Sequence, residues 1–349
     1  MNKLPLKKDI ETKKVLKKCI SANRALSLLN GVANIIPNQF VLISSLILKE
    51  AKSSSEIENI VTTNDELYKA EIELEVSRET KEVQKYKEAL LKGYELLKKD
   101  NLLLIKHLIK VQSIIVDNNA GIRRQAGTTL KNSKGEIVYT PPQSYIKIME
   151  LLSNLEQYIN NDSLEDYDYL VKIAIIHFQF EAIHPFYDGN GRTGRILNVL
   201  YLVYKGLINL PILYISDYII RNKEEYYQFL SALHKEDKWE DYILFMLNAV
   251  EVTANKTINT IKEIKALIDK QAELIQNKLP KIYSKELIEL LFINPYTKIE
   301  FLEKHLNISR QTASKYLKQL SVIGLLEEHK IGKSKYYINR EFFELLSKS

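Results

Sequence analysis

Residues that break helices are scarce in this chain and unevenly placed. Only 11 glycines and 8 prolines interrupt 349 residues, and three of those glycines fall between Gly189 and Gly194. Elsewhere, long stretches rich in Leu, Ile, Glu and Lys carry apolar residues at helical spacing, so the fold is expected to be mainly α. With 45% hydrophobic against 27% charged residues, a chain of this length can bury a substantial core and divide into two or three units. The lysine-dotted segment from Met1 to Ile20 has no apolar core of a secretory signal. The longest apolar runs, such as Phe40 to Leu48, fall short of the ~20 residues that cross a bilayer. One cysteine, Cys19, excludes an intrachain disulfide and a cysteine-rich metal site. A soluble protein of the reducing cytoplasm, with no membrane partner, is expected.

Local signals divide the chain. Pro37 reads as the first-turn proline of a helix through Leu42, Leu46 and Leu48, and the run Ser53 to Ser55 reads as the start of a short second helix. Between Arg124 and Pro142, Asn132, Ser133 and Gly135 precede Ile137-Val138-Tyr139, the pattern of one β-hairpin. Tyr169 to Ala182 predicts a helix too apolar for the surface, ended by Pro185 with His184 at its exit. An amphipathic helix is expected from Ala254 to Leu279, closed by Pro280. Three short helices, at Ser284 to Phe292, Ile299 to Leu306 and Ser309 to Ile323, then lead to a strand pair around Gly332, the order of a winged helix-turn-helix. The expected units are residues 1–100, a helical core at 101–252, a linker helix at 253–281 and a winged helix at 282–349.

The chemistry is concentrated in His184-Pro185-Phe186-Tyr187-Asp188-Gly189-Asn190-Gly191-Arg192-Thr193-Gly194-Arg195. Glycines allow a sharp turn that points successive N–H groups into one concavity ahead of an apolar helix, and a helix N-terminus adds positive potential. Arg192 and Arg195, three apart, supply two fixed charges on one helical face. Phosphate is the natural guest. Asp188 offers a hard oxygen ligand beside it, suited to Mg²⁺. His184 titrates near neutrality and could take a proton from a hydroxyl attacking phosphorus in the cradle. A glycine-rich helix start with solvent-facing arginines would be the plain structural account, but it does not explain a base, a metal ligand and an anion loop within a dozen residues.

This stretch resembles the Fic-family signature His-x-Phe-x-Asp/Glu-Gly-Asn-Gly-Arg-x-x-Arg at every defined position. The resemblance implies a helical Fic core with a short β-hairpin flap and a protein adenylyltransferase activity, in which AMP passes from ATP to a Ser, Thr or Tyr hydroxyl of a protein. It implies that His184 is the base and Asp188 the Mg²⁺ ligand. Gly189, Asn190, Gly191 and Arg192 would hold the α- and β-phosphates at the start of the helix that continues through Thr193 and Gly194, and Arg195 would orient the γ-phosphate. Kinase-like relatives carry lysine where Gly191 stands, so Gly191 favours AMP transfer. Ser54-Ser55-Glu56-Ile57-Glu58-Asn59 resembles the family's inhibitory motif, in which Glu58 would pair with Arg195; on spacing alone, Ser55 and Glu58 could equally form a capping box. The hairpin at Lys134 to Tyr139 resembles the flap on which a target segment adds as a strand. Tyr226, beside Tyr227, falls in a segment resembling the part that lines the base pocket, with simple packing as the alternative.

A zinc site of His177, Glu181 and His184 is conceivable but is broken by Pro185. Lys298 to Tyr337 resembles winged helices attached to bacterial Fic proteins. Residues 281–349 hold 12 Lys or Arg against 8 Asp or Glu. Arg310, Lys315 and Lys318 on the third helix, with Lys330, Lys333 and Lys335 marking the wing, suit DNA, although such domains also bind proteins or dimerise. Expected partners are a protein substrate, the chain itself among the candidates, with DNA and a second copy of the chain held open. Removal of AMP from a modified protein and nucleotide sensing by a transcription regulator are the rival functions.

Overall fold

In the computed structural model the described residues are 3–131, 134–236, 238–331 and 334–348. Met1, Asn132, Ser133, Gly332 and Lys333 therefore lie outside the described residues. The chain opens with α1 (Lys13–Ala33), α2 (Gln39–Ile57), α3 (Asn64–Glu71), α4 (Arg78–Asp100) and α5 (Ile105–Val116). A hairpin of β1 (Leu130–Lys131) and β2 (Ile137–Tyr139) follows, then α6 (Tyr145–Asn160), α7 (Tyr169–Ile183) and α8 (Asn190–Tyr204). Next come α9 (Ser216–Arg221), α10 (Lys223–Lys235) and α11 (Trp239–Lys278). The C-terminal part comprises α12 (Lys285–Ile293), β3 (Tyr296–Thr297), α13 (Ile299–Leu306), α14 (Arg310–Val322), β4 (Glu327–Ile331), β5 (Ser334–Ile338) and α15 (Arg340–Lys348). The mainly helical class, the hairpin between Arg124 and Pro142 and the three helices ahead of a strand pair all match the sequence-based expectation. No helix among the described residues is long and apolar enough to cross a membrane.

Side-chain caps set several helix starts: Thr12, Asn38, Thr63, Ser77 and Asp168 each accept a hydrogen bond from a first-turn N–H. Helix α7 forms the centre, packed against α6, α8 and α11, with almost every residue from Leu170 to Ile183 buried. That position explains its all-round apolar sequence. Helix α1 lies along α11, and α4 is held between α2, α5 and α8.

Three expectations change. Pro37 precedes α2, whose N-cap is Asn38. The run Ser53 to Ser55 starts no new helix, because α2 continues through it to Ile57 with Ser54 and Ser55 fully buried. Tertiary partners override the local preference of serine for caps. The helix expected from Ala254 begins instead at Trp239, since neither glycine nor proline occurs before Pro280, and the 252/253 division falls inside it. In the C-terminal part the sheet order is β3-β5-β4, all antiparallel, with Tyr296 opposite Ile338 and Lys330 opposite Lys335. Neither β3 nor α15 was anticipated; α15 is docked by Phe342 and Leu346.

Candidate active site

His184 ends α7 in the left-handed conformation (φ 49°, ψ 58°), its N–H bonded to the Phe180 carbonyl. Such a backbone needs support in a residue with a side chain. Arg123 supplies it: the buried guanidinium donates from Nε to the His184 carbonyl at 2.7 Å and from Nη2 to the Ile183 carbonyl at 3.3 Å and the Pro142 carbonyl. Its own N–H bonds the Pro185 carbonyl at 2.9 Å, and Ile122 bridges Phe186. The segment leading into the hairpin is thereby stitched to the turn. Arg123 was not singled out from the sequence, and no pattern could have done so, because its acceptors are carbonyls far along the chain.

Nδ1 of His184 is buried with no hydrogen-bond partner among the described residues. Burial, helped by the nearby Arg123 charge, lowers its pKa to about 4, so the ring is neutral and able to accept a proton at pH 7. Burial likewise lowers His177 to about 3 and His234 to about 4, from 6.5. An unfolded chain takes up these protons as pH falls through 6.5, whereas the folded chain resists until about pH 4, so stability declines across that interval. The carboxyls of Glu50 and Glu181, raised by burial, oppose this by taking up protons first in the folded chain, so the melting temperature should fall by only roughly 1–5 °C between about pH 7 and 5. Scanning calorimetry at fixed ionic strength checks this, and a flat profile would refute it.

The loop after His184 is shaped by Asn190, which accepts from the Phe186 N–H at 2.8 Å and donates to the Phe186 carbonyl at 2.9 Å. Its side chain therefore builds the turn, leaving the backbone to face a ligand. Gly189 caps α8 at φ 78°, and a Cβ there would stand 2.9 Å from Val116 Cγ1. The Thr193 N–H closes the first turn onto the Gly189 carbonyl at 2.9 Å. At Gly194 a Cβ would meet Glu181 Oε1 at 2.3 Å. Burial pushes the Glu181 carboxyl up to about 7.

Arg192 is buried, yet its Nε and Nη1 find no hydrogen-bond acceptor among the described residues. Glu82 Oε2 and Asp188 Oδ1 approach it only to 3.8 Å. Orphaned donors on a buried guanidinium, beside a helix N-terminus, are matched by anionic oxygen. The Asp188 side chain is 76% exposed, free to share a divalent cation with such an anion.

Arg195 is engaged. Its Nε donates to Ser54 Oγ at 2.7 Å, and its Nη2 donates to the Ser54 carbonyl at 2.9 Å and to Glu58 Oε1 at 2.8 Å. Burial alone would raise the Glu58 pKa, but the charge and hydrogen bond of Arg195 bring it below the usual carboxylate value. The pair raises Arg195 against the opposing effect of burial. Glu58 is the C-cap of α2, its N–H on the Ser55 carbonyl, so the capping-box account fails: these residues end a helix. Glu58 also occupies space, since a Cβ on Gly191 would lie 2.3 Å from its Oε1.

The tyrosine expectation is corrected. Tyr226 is buried beneath the site, with its hydroxyl 2.7 Å from His177 Nε2, and lines no open surface. Its neighbour Tyr227 is 44% exposed. Asn198 holds the other His177 nitrogen at 3.1 Å, so that ring is committed to the core and not to a metal. The hairpin is fastened to α10 where Tyr139 stacks on His234, ring centroids 3.6 Å apart, while Ile137 stays exposed.

These features bring a neutral imidazole, a glycine loop and a buried arginine with orphaned donors together at the start of α8. Residues 16–95 match the Fic/DOC family N-terminal region, residues 102–202 match the Fic/DOC family, and residues 267–342 match the C-terminal domain of SoFic-like protein adenylyltransferases. The chain belongs to the Fic/DOC family. It is 30% identical over 160 residues to a probable protein adenylyltransferase of Aquifex aeolicus, 45% of either chain. It is 28% identical over 123 residues to protein adenylyltransferase fic-1 of Caenorhabditis elegans, 35% of this chain and 22% of that one. The matches thus span less than half the length of these curated relatives. A Fic family protein from Desulfovibrio desulfuricans G20 shares the fold at TM-score 0.59 and 19% identity, covering 94% of this chain and 96% of that one. Fic-1 of C. elegans does so at 0.56 and 19%, over 72% and 73%.

Proposed function

We propose that this protein is an adenylyltransferase that moves AMP from ATP onto a Ser, Thr or Tyr hydroxyl of a protein, itself among the candidates, and that Glu58 restrains it. The observation that carries the reading is the juxtaposition of a neutral His184, whose buried Nδ1 has no partner among the described residues, with a glycine loop and a buried arginine whose Nε and Nη1 likewise lack acceptors. His184 accepts the proton of the incoming hydroxyl. The hydroxyl oxygen bonds to the α-phosphorus as the bond from that phosphorus to the pyrophosphate oxygen breaks. The loop Gly189 to Gly191 at the start of α8, with the Arg192 guanidinium, holds the α- and β-phosphates. Arg195, once released, orients the γ-phosphate, so most of the rate comes from positioning and charge neutralisation. Asp188 would hold Mg²⁺, which neutralises phosphate charge when bound. The hairpin edge at Ile137 suits an extended acceptor segment. A cytoplasmic setting belongs to this reading, supported by a sole, buried cysteine.

Parallel incubations with Mg²⁺ and ATP labelled at the α- or the γ-phosphate test it. Protein-bound label should come from the α-position alone. Label from the γ-position would indicate phosphorylation, and none from either, in a protein that binds ATP, would end the transferase reading. Arg123→Gln should lower transfer by about a hundredfold, because a displacement of the His184 turn costs that much, while ATP affinity stays close to wild type. Initial rates and titration calorimetry measure the two; an unaltered rate would show that the turn holds itself.

Duplex DNA draws weaker support as a partner of the C-terminal part. Arg310 is paired with Glu300 at 2.8 Å and with Glu303 at 3.4 Å, and Lys335 with Glu328. Lys315 and Lys318 are the charges of α14 that remain for phosphate.

A further inference from the structure

The C-terminal part grips both arms of the segment that carries Glu58. On the near side, Asn38 Nδ2 at the start of α2 donates to Glu289 Oε2 at 3.0 Å, and Ser44 Oγ donates to the Ile293 carbonyl at 2.8 Å. On the far side, Tyr68 of α3 stacks on Tyr296 with centroids 6.1 Å apart and meets Phe343 edge-on at 5.8 Å. The Tyr296 hydroxyl donates to Asp65 at 2.5 Å, and Lys298 Nζ reaches the Ile72 carbonyl and Glu73, each at 3.0 Å. Tyr68 and Tyr296 are both buried, so this contact is a packed interface with polar fastenings at its edge.

Helix α2 is unbroken from Asn38 to Glu58, and its two ends are therefore mechanically joined. Midway it is pinned by Glu50, fully buried, which accepts from the Tyr86 hydroxyl at 3.0 Å and from the Ser216 N–H at 3.1 Å. Beyond that pin only Ser54 and Glu58 meet Arg195. One end of the helix holds the arginine while the other end, and the helix that follows, lie under the C-terminal part.

We propose that docking of the C-terminal part onto α2 and α3 sets the strength of the Glu58–Arg195 pair, so that loosening it raises AMP transfer without any change in the nucleotide site. The inference rests on the reading of Glu58 as a restraint. Because coupling is reciprocal, release of Arg195 by ATP should in turn loosen the docked part.

The experiment uses the full chain carrying Tyr296→Phe with Lys298→Ala, which removes the polar fastenings on the α3 side and leaves the aromatic stack and the α2-side contacts. The same pair of changes is also placed in a Glu58→Gly background. Initial rates of α-label incorporation should rise between about twofold and thirtyfold in the first protein and not at all beyond Glu58→Gly in the second, since no pair is left to weaken. Hydrogen exchange should show faster exchange at residues 53–60 with α7 still protected, which separates loosening from misfolding. An unchanged rate beside an active Glu58→Gly protein would overturn the proposal, as would an equal change in both backgrounds. If Glu58→Gly itself fails to activate, the restraint reading falls and this inference falls with it.

Discussion

Glu58→Gly is expected to raise the initial rate of AMP transfer by roughly 5- to 150-fold, the range of an ordinary coupling between two sites. Glu58 does two things at once in the structure. Its carboxylate holds Arg195 at 2.8 Å, and its Oε1 fills the volume that the open face of Gly191 would otherwise offer a phosphate oxygen. Glycine removes the charge and the obstruction together. Ser54 still accepts two hydrogen bonds from Arg195, so the guanidinium stays oriented on the same side and need not be found again. Glu58→Gln separates the two effects, because it keeps the bulk while losing the full charge. It should activate less than glycine. Equal rates in wild type and Glu58→Gly, in proteins that bind ATP alike, would show that Arg195 is not limiting.

His184→Ala should lower transfer by about a hundredfold to ten-thousandfold, the usual contribution of a general base, in wild type and in Glu58→Gly alike. The substitution removes the one neutral imidazole at the loop, while Arg123 retains its carbonyl acceptors because they belong to the backbone. Structure and ATP binding should therefore survive, which titration calorimetry verifies. A rate within a few-fold of wild type would mean that another group takes the proton. Glu181 would be the first to examine, since its carboxyl is pushed up to about 7 and it lies one helical turn before His184.

What could be read from the sequence followed the range of the forces involved. Helix α7, the loop from His184 to Arg195, the hairpin and the three C-terminal helices are written in signals a few residues long: breakers, glycines and apolar spacing. The continuity of α2 was hidden because Ser53 to Ser55 look like a helix start, and the partner that holds Ser54 inside a helix lies at Arg195, in another part of the chain. Arg123 bonds carbonyls, which every residue possesses, so no side-chain pattern marks it. The choice between Tyr226 and Tyr227 depends on how α10 is rotated against the core, and two adjacent tyrosines carry no information about that. Glu58 and its pairing with Arg195 were both read through resemblance, and the structure places the two 2.8 Å apart.

Helix α11 bears on how the two ends of the chain communicate. Forty residues of uninterrupted helix form a rod about 60 Å long, continuous from the floor of the core at Trp239 to the threshold of the C-terminal part, which Gln271 ties to Asn339 by reciprocal hydrogen bonds. A flexible tether would let an undocked part wander through a large volume and return slowly. A rod confines the excursion to a pivot around Leu279 and Pro280, so the local concentration of the undocked part stays high and re-docking is favoured. The effect of loosening the C-terminal part on AMP transfer should therefore be graded, following how far the pivot is displaced at each moment.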